Sequence, residues 1–314
     1  MSLAFVFPGQ GSQSVGMMQG FDNLPIVRET FEEAGTILKQ DLWSMVTSGN
    51  AEELNLTVNT QPVMLAAGVA VFRAWNALQG AKPVVLAGHS LGEYTALVAS
   101  GALAFADALP LVRFRALAMQ EAVAEGVGGM AAILGLDDDV VRAVCAEAAQ
   151  GEVLEAVNFN SPGQVVIAGH KIAVERGMAL AKEKGAKRAL PLPVSVPSHC
   201  ALMRPAADAL ALRLQSVEIK APQIPVIHNA DVKSHSDAAA IKNALARQLY
   251  SPVRWVETVQ SFAGRGIRVL AECGPGKVLA GLSKRIDSNI QAIALTDEAA
   301  LRHAMDTLKQ EGEG

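Results

Sequence analysis

Short, wholly apolar runs alternate with longer stretches whose apolar positions recur every three or four residues, from one end of the chain to the other. Leu3–Phe7 (LAFVF) is the first run. It is too short for a helix and has no polar face, as a strand covered on both sides reads. Helical periodicity follows over 25–38 and 62–78, then a second apolar run, Val84-Val85-Leu86-Ala87. Leu91, Tyr94, Ala96, Leu97 and Val98 then recur at helical spacing until Ser100-Gly101 stops them, and 107–123 predicts a further helix. From residue 128 the texture changes. Strands are predicted over 130–134, 153–159, 164–168 and 187–192, with helices over 137–149 and 172–184 and a turn at Asn160-Ser161-Pro162-Gly163. That β-α-β-β-α-β order is the order of a ferredoxin-like unit, so 126–194 is expected to be an inserted subdomain and 1–125 with 195–314 the main body. After Pro197 the alternation resumes: helix 200–215, strand 225–229, helices 238–248 and 252–263, strand 268–272. Gly274-Pro275-Gly276 turns into a helix ending at Arg285, followed by strand 290–295 and a last helix with a polar tail, 311–314. Strands alternating with helices predict an α/β fold with a mostly parallel sheet covered on both faces.

Composition narrows the classes. Half of the 314 residues are hydrophobic and 18% are charged, enough for a large core and too apolar for a disordered chain. A net charge of −4 argues against nonspecific nucleic-acid binding. The longest apolar run, 63–72, ends at Arg73 and falls well short of the ~20 residues of a membrane span. The start, MSLAFVFPGQ, lacks a basic segment and a long apolar one, so no signal peptide is expected. Cys145, Cys200 and Cys273 are odd in number and widely spaced, which fits neither a disulfide framework nor a metal site and makes a reducing cytoplasm the expected location.

The candidate chemistry centres on Gly88-His89-Ser90-Leu91-Gly92, a G-x-S-x-G sequence placed between a predicted strand and a predicted helix. That context is the one a nucleophile elbow needs: the glycines remove Cβ atoms where strand and helix crowd, and the serine stands at the tip of the turn beside the first helical N–H groups. Serine needs a base. Of six histidines, His89 adjoins Ser90 and is expected to point away from it, while His170, His228, His235 and His303 lie in unpromising contexts. His199 ends the proline-stiffened Pro193–Cys200 segment at a helix start, which suits a side chain held in place; a helix-start histidine with no role reads the same. Cys200 is a rival nucleophile with nothing to mark it as activated. The Pro8-Gly9-Gln10-Gly11 loop matches no phosphate-loop spacing and reads as a turn.

Seven motifs, in order and spread along nearly the whole chain, resemble one family: Phe7–Gln13, Thr60-Gln61-Pro62, Gly88–Tyr94, Asn158–Gln164, Pro193–Cys200, Gln248–Val253 and Gly274-Pro275-Gly276. They are similar to those of bacterial malonyl-CoA:acyl carrier protein transacylases, which load malonyl units for fatty acid synthesis. The resemblance implies an α/β-hydrolase-like core with an inserted ferredoxin-like subdomain. It implies Ser90 as the acylated nucleophile, His199 as its base, and the backbone N–H groups of Gln10 and Leu91 as the oxyanion hole. It implies Arg115 as the partner of the malonyl carboxylate; periodicity alone does not separate Arg115 from Arg113. Gln248 would orient His199 through its backbone carbonyl, so Asp208, Asp231 and Glu272 are not assigned as a triad acid. Gln61 and Asn160 are expected to line the pocket. No metal and no tightly bound cofactor are implied, only the substrates malonyl-CoA and phosphopantetheinylated acyl carrier protein. Because carrier proteins of this pathway are acidic, the cluster Lys182, Lys184, Lys187 and Arg188 is a candidate docking surface, or else a solvated helix end. Competing readings are a serine hydrolase or thioesterase, a discrete acyltransferase of a polyketide pathway, and a non-catalytic carrier-binding protein.

Overall fold

The computed structural model describes residues 2–194 and 196–310; Ser195 of the proline-stiffened segment and the predicted tail 311–314 lie outside them. The described strands are β1 (Leu3–Phe7), β2 (Val85–Gly88), β3 (Gly128–Leu134), β4 (Leu154–Ser161), β5 (Gln164–His170), β6 (Arg188–Pro191), β7 (Val226–Ile227), β8 (Val269–Glu272) and β9 (Gln291–Ala294). Five of them form a sheet in the order β7-β2-β1-β8-β9, every pairing parallel. The polar-free LAFVF run explains why β1 is central. Leu3, Phe5 and Phe7 enter the larger core on one face, while Ala4 and Val6 enter a second core with Val85, Ala87 and Trp255 on the other. Phe5 meets Trp75 edge to face at 5.2 Å between ring centres.

The remaining four strands form an antiparallel sheet, β4-β5-β3-β6. Helices Asp138–Ala149 and Lys171–Glu183 bury their apolar stripes against one face of it. The opposite face carries Met130, Val157, Val166 and Ala168, packed with Cys200. Backbone bonds stitch the two sheet regions together: Val253 N–H donates to Val157 C=O (2.8 Å) and Phe159 N–H to Val253 C=O (3.0 Å). The catalytic candidates sit along this junction. Among the described residues no helix is long and apolar enough to cross a membrane.

Several boundaries differ from the pattern. The helix expected from Pro62 starts five residues earlier, as Thr57–Ala77. Thr60 N–H donates to Leu56 C=O at 2.8 Å, so the turn before the proline is already formed, and Pro62 costs only the one bond it cannot donate. Helices Leu42–Thr47 and Ala51–Asn55 are too short to show periodicity, and each is started by a side-chain cap, Asp41 and Asn50. The helix expected over 200–215 is a 3₁₀ turn, Ala201–Met203, followed by helix Arg204–Gln215 with proline in its first turn. The strand expected over 225–229 shrinks to the two residues of β7.

Candidate active site

Ser90 sits between the end of β2 and the helix Gly92–Ala99, with φ of +52°, a left-handed conformation that costs a non-glycine residue about 1–3 kcal/mol. Its surroundings impose that conformation. A Cβ on Gly88 would lie 1.9 Å from the Gly92 carbonyl carbon, and one on Gly92 would lie 2.0 Å from Phe7 C=O. Ser90 N–H donates to Asn229 Oδ1 (2.7 Å), and Asn229 Nδ2 donates to Gly88 C=O (2.7 Å). The loop after β1 lies directly on this elbow: a Cβ on Gly9 would come within 2.5 Å of His89 C=O and 3.8 Å of Leu91 N. Gln10 is tethered to the start of the neighbouring helix through Thr57 Oγ1 (3.3 Å). The Gln10 and Leu91 N–H groups, both at the cleft, have no acceptor among the described residues.

His199 is 2% exposed and also left-handed, φ +68°, its backbone held by a bond from its N–H to Leu249 C=O (3.0 Å). Gln248 is the last residue of helix Ala238–Gln248, where carbonyls lack intrahelical partners, and its C=O lies 2.7 Å from His199 Nδ1. A carbonyl only accepts, so Nδ1 carries the proton. Nε2 therefore presents its lone pair to Ser90 Oγ, 2.8 Å away. Burial, helped by the nearby Arg115 charge, depresses the His199 pKa to about 3, so the ring is a neutral acceptor near pH 7.

Arg115, on helix Phe105–Glu121, is 1% exposed. It donates to Gln61 Oε1 (2.9 Å), Gln248 Oε1 (3.0 Å) and Ser90 Oγ (3.2 Å), all neutral, and its Nε–H has no partner among the described residues. Burial works against its charge and lowers its pKa. Arg113 points elsewhere on the same helix, toward Leu38 C=O (3.2 Å) and the Gln40 side chain. The geometry thus separates two arginines that periodicity left equivalent. Asn160 belongs to β4 rather than to a turn, and its Oδ1 accepts from His89 Nε2 (2.9 Å) at the cleft wall. His89 therefore faces the cleft but is engaged there, away from Ser90 Oγ.

The other candidates fall away. His170 accepts from Val153 N–H, and His235 pairs with Asp231, which also binds Arg247. Asp208 is exposed, and Glu272 accepts from Ala280 N–H. Burial pushes the Cys200 thiol up to about 12, and it donates to Pro197 C=O. No group of three or more His, Cys, Asp or Glu side chains able to hold a metal occurs among the described residues. Sequence reasoning missed Glu93 and Asn229. Glu93 is fully buried and accepts from His228 Nδ1 (2.7 Å), Asn229 N–H (2.9 Å) and Gln248 Nε2 (2.9 Å). Its signal was present: a single carboxylate in the otherwise uncharged stretch 83–106. The cleft holds about 220 Å³, with Ser90, His199 and Arg115 among its polar lining and Met119, Met130, Val166 and Leu192 among its apolar lining.

Residues 4–299 match the family model described as an acyl transferase domain. The malonyl CoA-acyl carrier protein transacylase of Salmonella typhimurium is 58% identical over 96% of this chain and 98% of its own length. An acyl-carrier-protein S-malonyltransferase from Burkholderia pseudomallei superposes with a TM-score of 0.96 at 62% identity, covering 98% of this chain and 100% of that one. A malonyl-transacylase solved in complex with a type II PKS acyl-carrier protein superposes at 0.97 with 53% identity, covering 98% and 100%.

Proposed function

The chain belongs to the malonyl CoA-acyl carrier protein transacylase family, and on that premise we propose that Ser90 carries the malonyl group between its two thiol carriers. The enzyme moves malonyl from malonyl-CoA to acyl carrier protein for fatty acid synthesis. His199 Nε2 takes the Ser90 proton as Oγ attacks the thioester carbonyl, giving a tetrahedral oxyanion. The N–H groups of Gln10 and Leu91 receive that oxyanion, each worth about 10²–10³ in rate. Collapse expels CoA, whose sulfur takes the proton back from His199. The phosphopantetheine thiol of the carrier then attacks the malonyl-serine ester by the same steps reversed. No bound cofactor takes part.

Arg115 receives the free malonyl carboxylate, with Gln61 steadying the guanidinium and Asn160 forming the opposite wall with His89. Two N–H groups to one carboxylate fix the acyl chain in a way a lysine ammonium does not. The observation that carries the reading is the buried, neutrally partnered Arg115 placed 3.2 Å from the serine of a serine–histidine pair. A hydrolase of neutral esters gives no account of that charge. The parallel sheet is read as an α/β-hydrolase-like core (1–125 and 195–314), and the antiparallel sheet with its two helices as a ferredoxin-like subdomain (126–194), in a cytoplasmic protein.

The test is intact-protein mass spectrometry after brief mixing with malonyl-CoA and then with holo carrier protein. A malonyl adduct that Ser90→Ala abolishes, and that passes to the carrier, is expected. An adduct lost to water at the same rate with or without carrier would mark a hydrolase instead.

A further inference from the structure

Among the described residues the serine–histidine pair has no triad carboxylate, yet a fully buried one, Glu93, is joined to it through Gln248. Glu93 Oε2 accepts from Gln248 Nε2 and from Asn229 N–H, both at 2.9 Å, while Oε1 accepts from His228 Nδ1 at 2.7 Å. Each of the first two partners holds the catalytic groups directly. Gln248 Nε2 also donates to Ser90 C=O (2.9 Å), its Oε1 accepts from Arg115, and its backbone C=O receives His199 Nδ1. Asn229 holds Ser90 N–H and Gly88 C=O. One side chain is therefore linked, through Gln248 and Asn229, to the nucleophile and the carboxylate-binding arginine, and to the residue whose backbone carbonyl holds the base.

The geometry points to Glu93 as a positioning residue of the transfer reaction, acting through Gln248 and Asn229 rather than on substrate. Without it, the Gln248 amide loses the buried carboxylate that sets its rotamer and has only Ser90 C=O and Arg115 to hold it. A Gln248 free to turn releases Arg115 and shifts the elbow under Ser90. A misplacement of about 1 Å in a reacting group costs on the order of 10²-fold in rate. The same site without an anchored Arg115 also loses its preference for a carboxylated acyl group. Asn229, fixed at its backbone by Glu93, explains how Ser90 keeps its left-handed turn and why its own N–H is committed away from the oxyanion.

The inference rests on the roles given above to Ser90 and His199. The experiment follows malonyl-enzyme formation by quenched-flow mass spectrometry at saturating malonyl-CoA, with acetyl-CoA in parallel. Glu93→Leu removes the acceptors at similar size, and Gln248→Met removes the side-chain amide while keeping the backbone carbonyl. Glu93→Gln retains one acceptor oxygen for Gln248 and Asn229, provided that His228 exchanges its tautomer. Glu93→Leu is expected to acylate about 10²-fold more slowly per active serine, with a reduced malonyl-to-acetyl ratio, and Glu93→Gln to recover most of both. The losses in the Glu93→Leu/Gln248→Met double variant should fall short of the product of the two single losses, because both cut the Glu93–Gln248 link while the Asn229 link and the Arg115 contact are each cut by one variant alone. A smaller burst with a wild-type rate constant would make Glu93 a residue of the fold alone and overturn the inference, as would additive losses in the double variant. If Glu93→Leu does not fold, Glu93→Asp, which withdraws the carboxylate by one methylene, decides instead: a wild-type rate and acyl preference overturn the inference, and losses of both uphold it. Failure of the wild-type protein to acylate at Ser90 would instead overturn the roles on which the inference rests.

Discussion

His199 is held at both ring nitrogens and cut off from water, and the charge of Arg115 stands beside it. Those facts fix its titration. With a folded pKa near 3 against an ordinary 6.5, it stays unprotonated across the range in which a solvated histidine would charge. The acid limb of kcat/KM for malonyl-CoA should therefore lie below pH 5, with a flat rate from there to pH 8; a limb near 6.5 would contradict the buried geometry. The stability consequence has the same origin. Below pH 6.5 the unfolded chain takes up a proton that the folded His199 refuses, so this residue's contribution is lost as pH falls from 6.5 toward about 3. Arg115→Ala should move the kinetic limb upward. It should also cut malonyl transfer sharply while raising the relative use of acetyl-CoA, measured as the ratio of the two kcat/KM values; Arg115→Lys should not restore the wild-type ratio. At this scale the elbow was legible because its whole pattern, strand, Gly88-x-Ser90-x-Gly92 and helix, is contiguous in sequence, although the crowding that requires Gly92 comes from distant Phe7. Arg115 was not, since the choice against Arg113 depends on Gln61 and Gln248 arriving from distant segments. The lone carboxylate of Glu93 was visible, but its partners Gln248 and Asn229 also come from distant segments.

Among the elements, the end of β8 combines a strand with a helix start. Glu272, buried at the head of helix Val278–Ile286, accepts from Ala280 N–H (2.8 Å), while its Oε1 has no partner among the described residues. Burial raises its pKa from 4.5 to about 7 despite the helix N–H groups. A raised carboxylate pKa gives stability that is complete below 4.5 and lost as pH rises through about 7. Glu272→Gln keeps the acceptor and abolishes the titration. Denaturant unfolding should find the variant equal to wild type at pH 4.5 and more stable at pH 8, by up to about 3 kcal/mol. An identical gap at both pH values would remove the titration argument. Elements with strong periodicity or a clear punctuator were visible in the sequence: β1, helix Pro25–Leu38, and the Gly274-Pro275-Gly276 turn, whose Gly274 leaves room for Pro8. Pro62 misled because proline was read as a start, whereas Leu54 and Leu56 carbonyls had already organised Thr60. Side-chain caps, not apolar spacing, make the two short helices.

At the scale of the molecule, charge should decide how the carrier reaches the cleft. Lys182, Lys184, Lys187 and Arg188 are all exposed, and Arg188 lies on β6, the outer strand of the antiparallel sheet. Lys184 is 3.6 Å from Glu147, which leaves Lys182, Lys187 and Arg188 the better candidates for an acidic partner. Lys187→Glu with Arg188→Glu should raise KM for carrier protein, and less so as salt rises, while leaving KM for malonyl-CoA in place. Equal effects on both substrates would discard this surface. The pairing of the parallel sheet has a further consequence, in time. The strands of the antiparallel sheet follow one another along the chain, but Leu3 of β1 pairs with Val269 and Val6 with Glu272. At ribosomal speeds of about 5–20 residues per second, β1 waits roughly 15–50 s for its second neighbour. Throughout that interval LAFVF is an apolar strand with an open edge. Newly made chains should thus depend on chaperones most strongly before residue 269 emerges, and truncations that end short of β8 should aggregate rather than fold.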